Sequence, residues 1–161
     1  MKPKVYIETS VISYLTARAS RDVIVAARQA ITLDWWENQR KRFDLFISEL
    51  VEEEMLRGDP DAAALRTKKA EGIESLGSSD EAENLTRILL DKGTIPAGSE
   101  EDAAHIAIAS AQGMDYLLTW NFKHINNAER KAAIIQVVES CGFNCPALCS
   151  PEELGGGMNN V

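Results

Sequence analysis

Acidic oxygens are the groups in this sequence best placed to do chemistry. Glu8 follows directly on the apolar run Val5-Tyr6-Ile7, where a carboxylate either caps the next helix or lines a cleft. Thr9 and Ser10 are themselves good capping residues, so the capping role is already filled. Asp102 opens the stretch Asp102-Ala103-Ala104-His105-Ile106-Ala107-Ile108-Ala109, whose small residues let a helix lie close against a sheet. Glu54 ends a run with Glu49, Glu52 and Glu53, and its neighbours Leu50, Val51 and Met55 draw it toward an inner face. Asn121 closes the strand-like segment Tyr116-Leu117-Leu118-Thr119. Carboxylate and amide oxygens suit Mg²⁺ or Mn²⁺. Such ions acidify bound water and stabilise the charge of a phosphodiester under attack.

Each of these residues also has a plainer reading. Asp102 lies three positions after Ser99, the spacing of a capping box. Glu54 can be a solvated helix acid, and Asn121 a turn residue that lines the site while capping it. His105, one turn from Asp102, reads as a core or boundary histidine rather than a ligand. Other chemistries lack their motifs. No Gly-x-Gly-x-x-Gly, no phosphate-binding Gly-x-x-x-x-Gly-Lys-Ser/Thr and no Gly-x-Ser-x-Gly elbow is present. With His105 and His124 the only histidines, a histidine-rich zinc site is excluded. Cys141, Cys145 and Cys149 are interrupted by Pro146 and read as reduced, partly buried thiols rather than a metal cluster.

The elements that must position these residues alternate between strand and helix. Strands are expected at Val5–Ile7, Phe43–Ile47, Ile73–Leu76, Asp115–Thr119 and Pro146–Leu148. A helix is expected from Asp22 to about Arg42, with Ile24, Ala27, Ile31 and Trp35 facing the core. Of the adjacent Trp35 and Trp36, one is expected in the core and the other at a partner interface. Further helices follow Ser48, Asp59, Ser78 (with Glu81 in a capping box) and Ser99. Another spans Ala128–Ser140, and a short one opens at Ser150-Pro151-Glu152-Glu153. Such alternation predicts an α/β fold, a three-layer α/β/α sandwich around a mostly parallel sheet. Ligands in such folds bind beyond the carboxyl ends of the strands, which places Glu8 and Asn121 on one rim.

The 161 residues suit one compact domain, expected over residues 1–154, with 155–161 as a disordered tail. The formal charge of −8 argues against a general nucleic-acid coat protein but suits a metal nuclease or a chain that docks a basic partner. No apolar run approaches the roughly 20 residues of a membrane span, and no secretory segment precedes the first strand. A cytoplasmic protein with no membrane partner is expected.

In their order along the chain, Val5-Tyr6-Ile7-Glu8-Thr9-Ser10-Val11-Ile12, the helix ending at Glu54, Asp102-Ala-Ala-His-Ile-Ala-Ile-Ala and Tyr116-Leu-Leu-Thr-Trp-Asn121 resemble PIN domains. The chain looks like a VapC-type toxin of a bacterial toxin–antitoxin pair, over roughly residues 4 to 150. The resemblance implies a PIN-like fold and a metal-dependent endoribonuclease. Glu8, Glu54 and Asp102 would bind Mg²⁺ or Mn²⁺, and Asn121 would orient the attacking water for in-line hydrolysis. It also implies a homodimer neutralised by a cognate antitoxin. Thr9 and Thr119 match polar residues near the family's site, while Lys123 and His124 are the nearest candidates for touching RNA. Glu8 and Asn121 each replace a usual aspartate. They favour a one-metal site, and Asn121 also admits a different role, a PIN-like domain without useful catalysis that binds RNA or protein.

Overall fold

The computed structural model describes residues 1–155. Most of the expected tail lies outside the described residues, but Gly155 is buried in a turn, packed against Gln39 and Arg42. Strands β1 (Lys4–Ile7), β2 (Asp44–Ser48), β3 (Glu74–Leu76), β4 (Tyr116–Leu118) and β5 (Ala147–Cys149) form a parallel sheet in the order β3-β2-β1-β4-β5. The fold is the expected three-layer α/β/α sandwich.

Strand order dictates the layers. From β1 the chain moves to β2 and β3 on one side, through α1 (Thr9–Thr16), α2 (Val23–Asp34), α3 (Glu49–Met55) and α4 (Pro60–Lys69). It then crosses to β4 and β5 through α5 (Asp80–Asp91), α6 (Glu100–Ala111) and α7 (Lys131–Ser140). Right-handed crossovers put the first group on one face and the second on the other. The direction reverses between β1 and β4, so loops leaving these neighbouring strands diverge and open a crevice between them.

The central strands are covered on both faces, and Val5, Tyr6, Ile7, Leu117 and Leu118 are fully buried. The small residues of α6 work as expected. Ala103, Ala107 and Ala109 are fully buried, and the helix is enclosed over most of its circumference. It ends cleanly because Gly113 takes the left-handed conformation (φ +72°) that turns the chain into β4.

Several local expectations are corrected. The long helix after Asp22 ends at Asp34 and continues as a π-helical turn over Trp35–Gln39, then a 3₁₀ turn over Arg40–Arg42. The wider turn lets both tryptophans point inward. Trp35 stacks on Phe43 with ring centroids 5.9 Å apart and donates to the Leu154 carbonyl at 3.1 Å, while Trp36 lies under Arg40. Neither is an exposed interface residue. At the other end of α2, Ile24 and Ala27 are exposed, so the expected core-facing stripe holds only for the second half of the helix. The helix after Ser78 starts one residue late, capped by Ser79, which accepts from Ala82 N at 3.1 Å. Residues 151–155 form turns rather than a helix. Cys141, Cys145 and Cys149 are free, and burial pushes the Cys145 and Cys149 thiols up to about 12, as befits unreactive core thiols. No helix among the described residues is long and apolar enough to cross a membrane.

Trp35 fills the space between α2 and the chain's last described turn. Trp35→Ala should therefore destabilise the protein by about 3–5 kcal/mol, read as a lower urea midpoint by circular dichroism. A loss below about 1 kcal/mol would contradict this packing role.

Candidate active site

Glu8 sits at the diverging point of the sheet. Its backbone N–H still donates to Leu118 O at 3.0 Å, continuing the β1–β4 ladder. Its side chain folds back to cap α1, accepting from Ser10 N at 3.1 Å and from the Ser10 hydroxyl. Thr119, just past β4, donates its hydroxyl to Glu8 Oε1 at 2.6 Å. The buried carboxylate is thus held by donors from the two segments that leave these strands, Ser10 of α1 and Thr119 after β4.

Glu54 reaches the same point from the last turn of α3. Its Oε1 accepts from Thr9 Oγ1 at 2.6 Å and meets His105 Nε2 at 2.6 Å. Oε2 takes no hydrogen bond from the described residues, leaving one oxygen for a ligand. His105 is fully buried and backed by the Tyr6 hydroxyl at 2.6 Å, which in turn meets Ser48 Oγ at 2.7 Å. Ser48 also caps α3 by accepting from Val51 N at 3.2 Å. This relay spans β1, β2, α3 and α6, and it fixes Glu54 from behind. Tyr6 serves either state of the ring: it donates to Nδ1 of the neutral imidazole, or accepts from the imidazolium while donating to Ser48.

Ligand atoms of Glu8, Glu54 and His105 all lie within 4.8 Å of one another. Two unit negative charges at 4.8 Å repel by about 3.5 kcal/mol at an effective dielectric constant near 20. Hydrogen bonds to a charged carboxylate net about 1.5–3 kcal/mol each, so the donors of Ser10, Thr119 and Thr9 offset this repulsion, and a nearby positive charge relieves it further. His105 supplies one from behind. Burial alone would lower its pKa, but the Glu54 hydrogen bond and the charges of Glu8, Glu54 and Asp102 raise it above the ordinary 6.5. Burial likewise opposes ionisation of Glu54, yet His105, Thr9 and Arg57 hold its carboxyl below the ordinary 4.5. The donor set fits a divalent cation in front of the pair: carboxylate oxygens, with hydroxyl and imidazole partners orienting them.

Asp102 lies beside this cluster rather than in it. The capping box expected with Ser99 is not formed, because Ser99 makes no side-chain cap. Asp102 instead turns to the β4 loop, accepting from Asn121 Nδ2 at 3.0 Å through Oδ1 and meeting His124 Nδ1 at 2.8 Å through Oδ2. Asn121 Oδ1 accepts from the backbone N–H groups of Lys123 and His124 at 3.1 and 3.0 Å. Asn121 is therefore a turn residue that grips Asp102, with its oxygen committed to the backbone rather than to a water. Thr119 is fully buried and Thr9 nearly so. Their hydroxyls orient Glu8 and Glu54 rather than facing outward. Of the two residues suggested to touch RNA, His124 is engaged with Asp102 and Lys123 is exposed.

The sequence reading gave Tyr6 no role, took Ser10 and Ser48 only as helix caps, and placed His105 in the core or at its boundary without its part in holding Glu54. The signal for His105 was its position one turn after Asp102 on a helix otherwise built of apolar and small residues. A polar ring there must find partners inside the protein.

No protein-family model matches the chain, and no curated protein matches it by sequence. Its structure is similar to that of VapC20 from Mycobacterium tuberculosis, a Sarcin-Ricin loop cleaving toxin. The TM-score is 0.57 at 16% identity, over 86% of this chain and 95% of that one. It is also similar to a chain of VapBC2 from Rickettsia felis, solved bound to a DNA fragment from their promoter. That match has a TM-score of 0.59 at 14% identity, over 91% of this chain and 98% of that one. At such identities the likeness is one of fold, and it gives the chain the PIN-like architecture that the sequence resemblance implies.

The His105–Glu54 pair makes metal-free stability depend on pH. The raised His105 value means its charge stabilises the fold fully below about 6.5, a contribution lost as pH rises through the folded value. The lowered Glu54 value contributes above about 4.5 and is lost as pH falls through its folded value. In chelator, the stability gap between wild type and His105→Asn should be widest in mildly acidic solution and narrow on going to alkaline pH. A gap that is flat or widens toward alkaline pH contradicts a charged pair.

Proposed function

We propose that this chain is a metal-dependent endoribonuclease that hydrolyses RNA phosphodiesters with a Mg²⁺ or Mn²⁺ ion. The observation that carries this reading is the convergence of Glu8 and Glu54 within 4.8 Å at the reversal point of a parallel sheet. Glu8 and Glu54 hold the ion, and Asp102 adds a third carboxylate at the rim. A divalent ion bound there supplies positive charge to the scissile phosphate and acidifies water.

The protein's own residues prepare that site. Thr119 and Ser10 fix the Glu8 carboxylate, and Thr9 and His105 turn Glu54 so that Oε2 is left for a ligand. Asn121 and His124 keep Asp102 aimed across the mouth of the crevice. Preset orientation of ligands removes reorganisation that would otherwise oppose reaction. Lys123, exposed next to this turn, offers a cation to a phosphate of the strand.

The likeness to VapC20 and VapBC2 supports a toxin role, and the sequence resemblance adds to this proposal a protein antitoxin as partner and a homodimeric, cytoplasmic protein. The chain's net charge of −8 suits a partner with a basic segment.

Purified protein should cleave RNA with Mg²⁺ or Mn²⁺ and not in chelator, and Glu54→Gln should reduce cleavage to the chelator background. Thr119→Val, which removes an orienting hydroxyl, should cost roughly 10–100-fold. Cleavage that persists in chelator overturns the mechanism. RNA binding without any cleavage favours a non-catalytic binding domain instead.

A further inference from the structure

The residue after Asn121 is a phenylalanine with 36% of its surface exposed, in a turn that otherwise serves the site. Phe122 is pinned there. Its N–H donates to Trp120 O at 3.0 Å, its carbonyl accepts from Asn127 Nδ2 at 2.9 Å, and the Asn121 side chain caps the turn. The backbone is rigid, yet the ring is left partly in water.

Across from it stands Arg28 of α2. Its guanidinium lies 4.9 Å from the Phe122 ring centroid and 5.5 Å from that of Trp120. Among the described residues no carboxylate or carbonyl accepts from that guanidinium. Securing α2 does not need this contact, because the Trp120 indole already donates to Thr32 Oγ1 at 2.8 Å and the ring packs on Tyr14 at 5.8 Å. Local charge is also unusual. Residues 18–28 carry Arg18, Arg21 and Arg28 against Asp22 alone, three cations to one acid, in a chain of net charge −8.

An exposed aromatic ring, an arginine plane with unused donors and a neighbouring lysine are what proteins use to hold unpaired nucleotides. Every base has a face to stack, and phosphates answer the cations. A duplex keeps its base faces covered. Phe122 adjoins Asn121, whose amide holds Asp102, so the platform and the carboxylate rim are built on the same turn.

We infer that Phe122 and Arg28 form a stacking platform for one unpaired nucleobase of the RNA strand, with Arg28 and Lys123 taking its flanking phosphates. The inference rests on the ribonuclease reading and adds to it a particular contact, one base of the strand held by Phe122 and Arg28.

The test is steady-state cleavage of a single-stranded RNA and of copies with one abasic nucleotide moved along the strand, by wild type, Phe122→Leu and Phe122→Tyr. Circular dichroism and melting temperature establish that each variant is folded. For wild type, an abasic nucleotide at one position near the cut should raise KM about tenfold, with kcat moving far less. Phe122→Leu should raise KM similarly on the intact RNA and lose nothing more at that position, because base and ring act as one pair. Phe122→Tyr should restore both KM and the sensitivity to the missing base. The platform is overturned if the abasic and Phe122→Leu effects multiply, if no position is sensitive, or if Leu performs like Phe. If wild type cleaves no RNA, the ribonuclease reading fails and the platform with it. Cleavage by wild type with an unaltered Phe122→Leu KM removes the platform alone.

Discussion

A carboxylate placed immediately after a buried parallel strand constrains everything around it. Glu8 is only 6% exposed, so its oxygens must find donors inside the protein or face a large desolvation penalty. The donors come from the two elements that diverge at the sheet's reversal point. Ser10, in the first turn of α1, supplies a backbone and a side-chain donor, and Thr119, after β4, supplies a hydroxyl. The register pairing Ile7 with Leu118 sets Thr119 opposite Glu8. A shift of one position along either strand would leave the carboxylate without that partner.

Bringing Glu54 to the same place adds a repulsion that the donors on both carboxylates and the charge of His105 oppose, and the surrounding polar relay holds those partners in place. Tyr6, Ser48 and His105 are buried polar groups in a region otherwise filled by Val5, Ile7 and Ile106. They make sense as a rigid support for Glu54, held directly by Thr9 of α1 and His105 of α6, with Tyr6 of β1 and Ser48 of β2 behind the ring. Asp102 belongs to a second, smaller system with Asn121 and His124. The two systems meet through charge, since Asp102 also raises the His105 pKa. A site assembled in this way is rigid before any ligand arrives, because every orienting partner is itself packed or capped.

Much of the fold was legible in the sequence. Alternating short apolar runs and helical segments gave the strands, their order of appearance and the α/β class, because burial on both faces and capping chemistry are local signals. Ser48 and Asp59 announced their helices correctly. The π-helical turn at Trp35–Gln39 was not legible, since nothing in Trp-Trp-Glu-Asn-Gln distinguishes it from α-helix until Trp35 must reach Leu154. Glu8 and Asn121 were placed on one rim by the strand-end rule, yet their roles were not. Asn121 holds Asp102 because its oxygen is taken by the turn, a matter of rotamer and loop geometry. Thr9 and Thr119 read as surface polar residues near a site, while their burial depends on contacts between segments far apart in sequence. His105 was undervalued for the same reason, its partners Tyr6 and Glu54 lying in distant segments.

The central claim is that Glu8 and Glu54 form the seat of a divalent ion. Anomalous diffraction from crystals grown with Mn²⁺ tests it most directly. The account predicts one strong peak between the Glu8 and Glu54 carboxylates, with Thr119 and His105 still bonded to them from behind. A peak held by Asp102 and His124 away from Glu8, or no peak at the reversal point of the sheet, would contradict it.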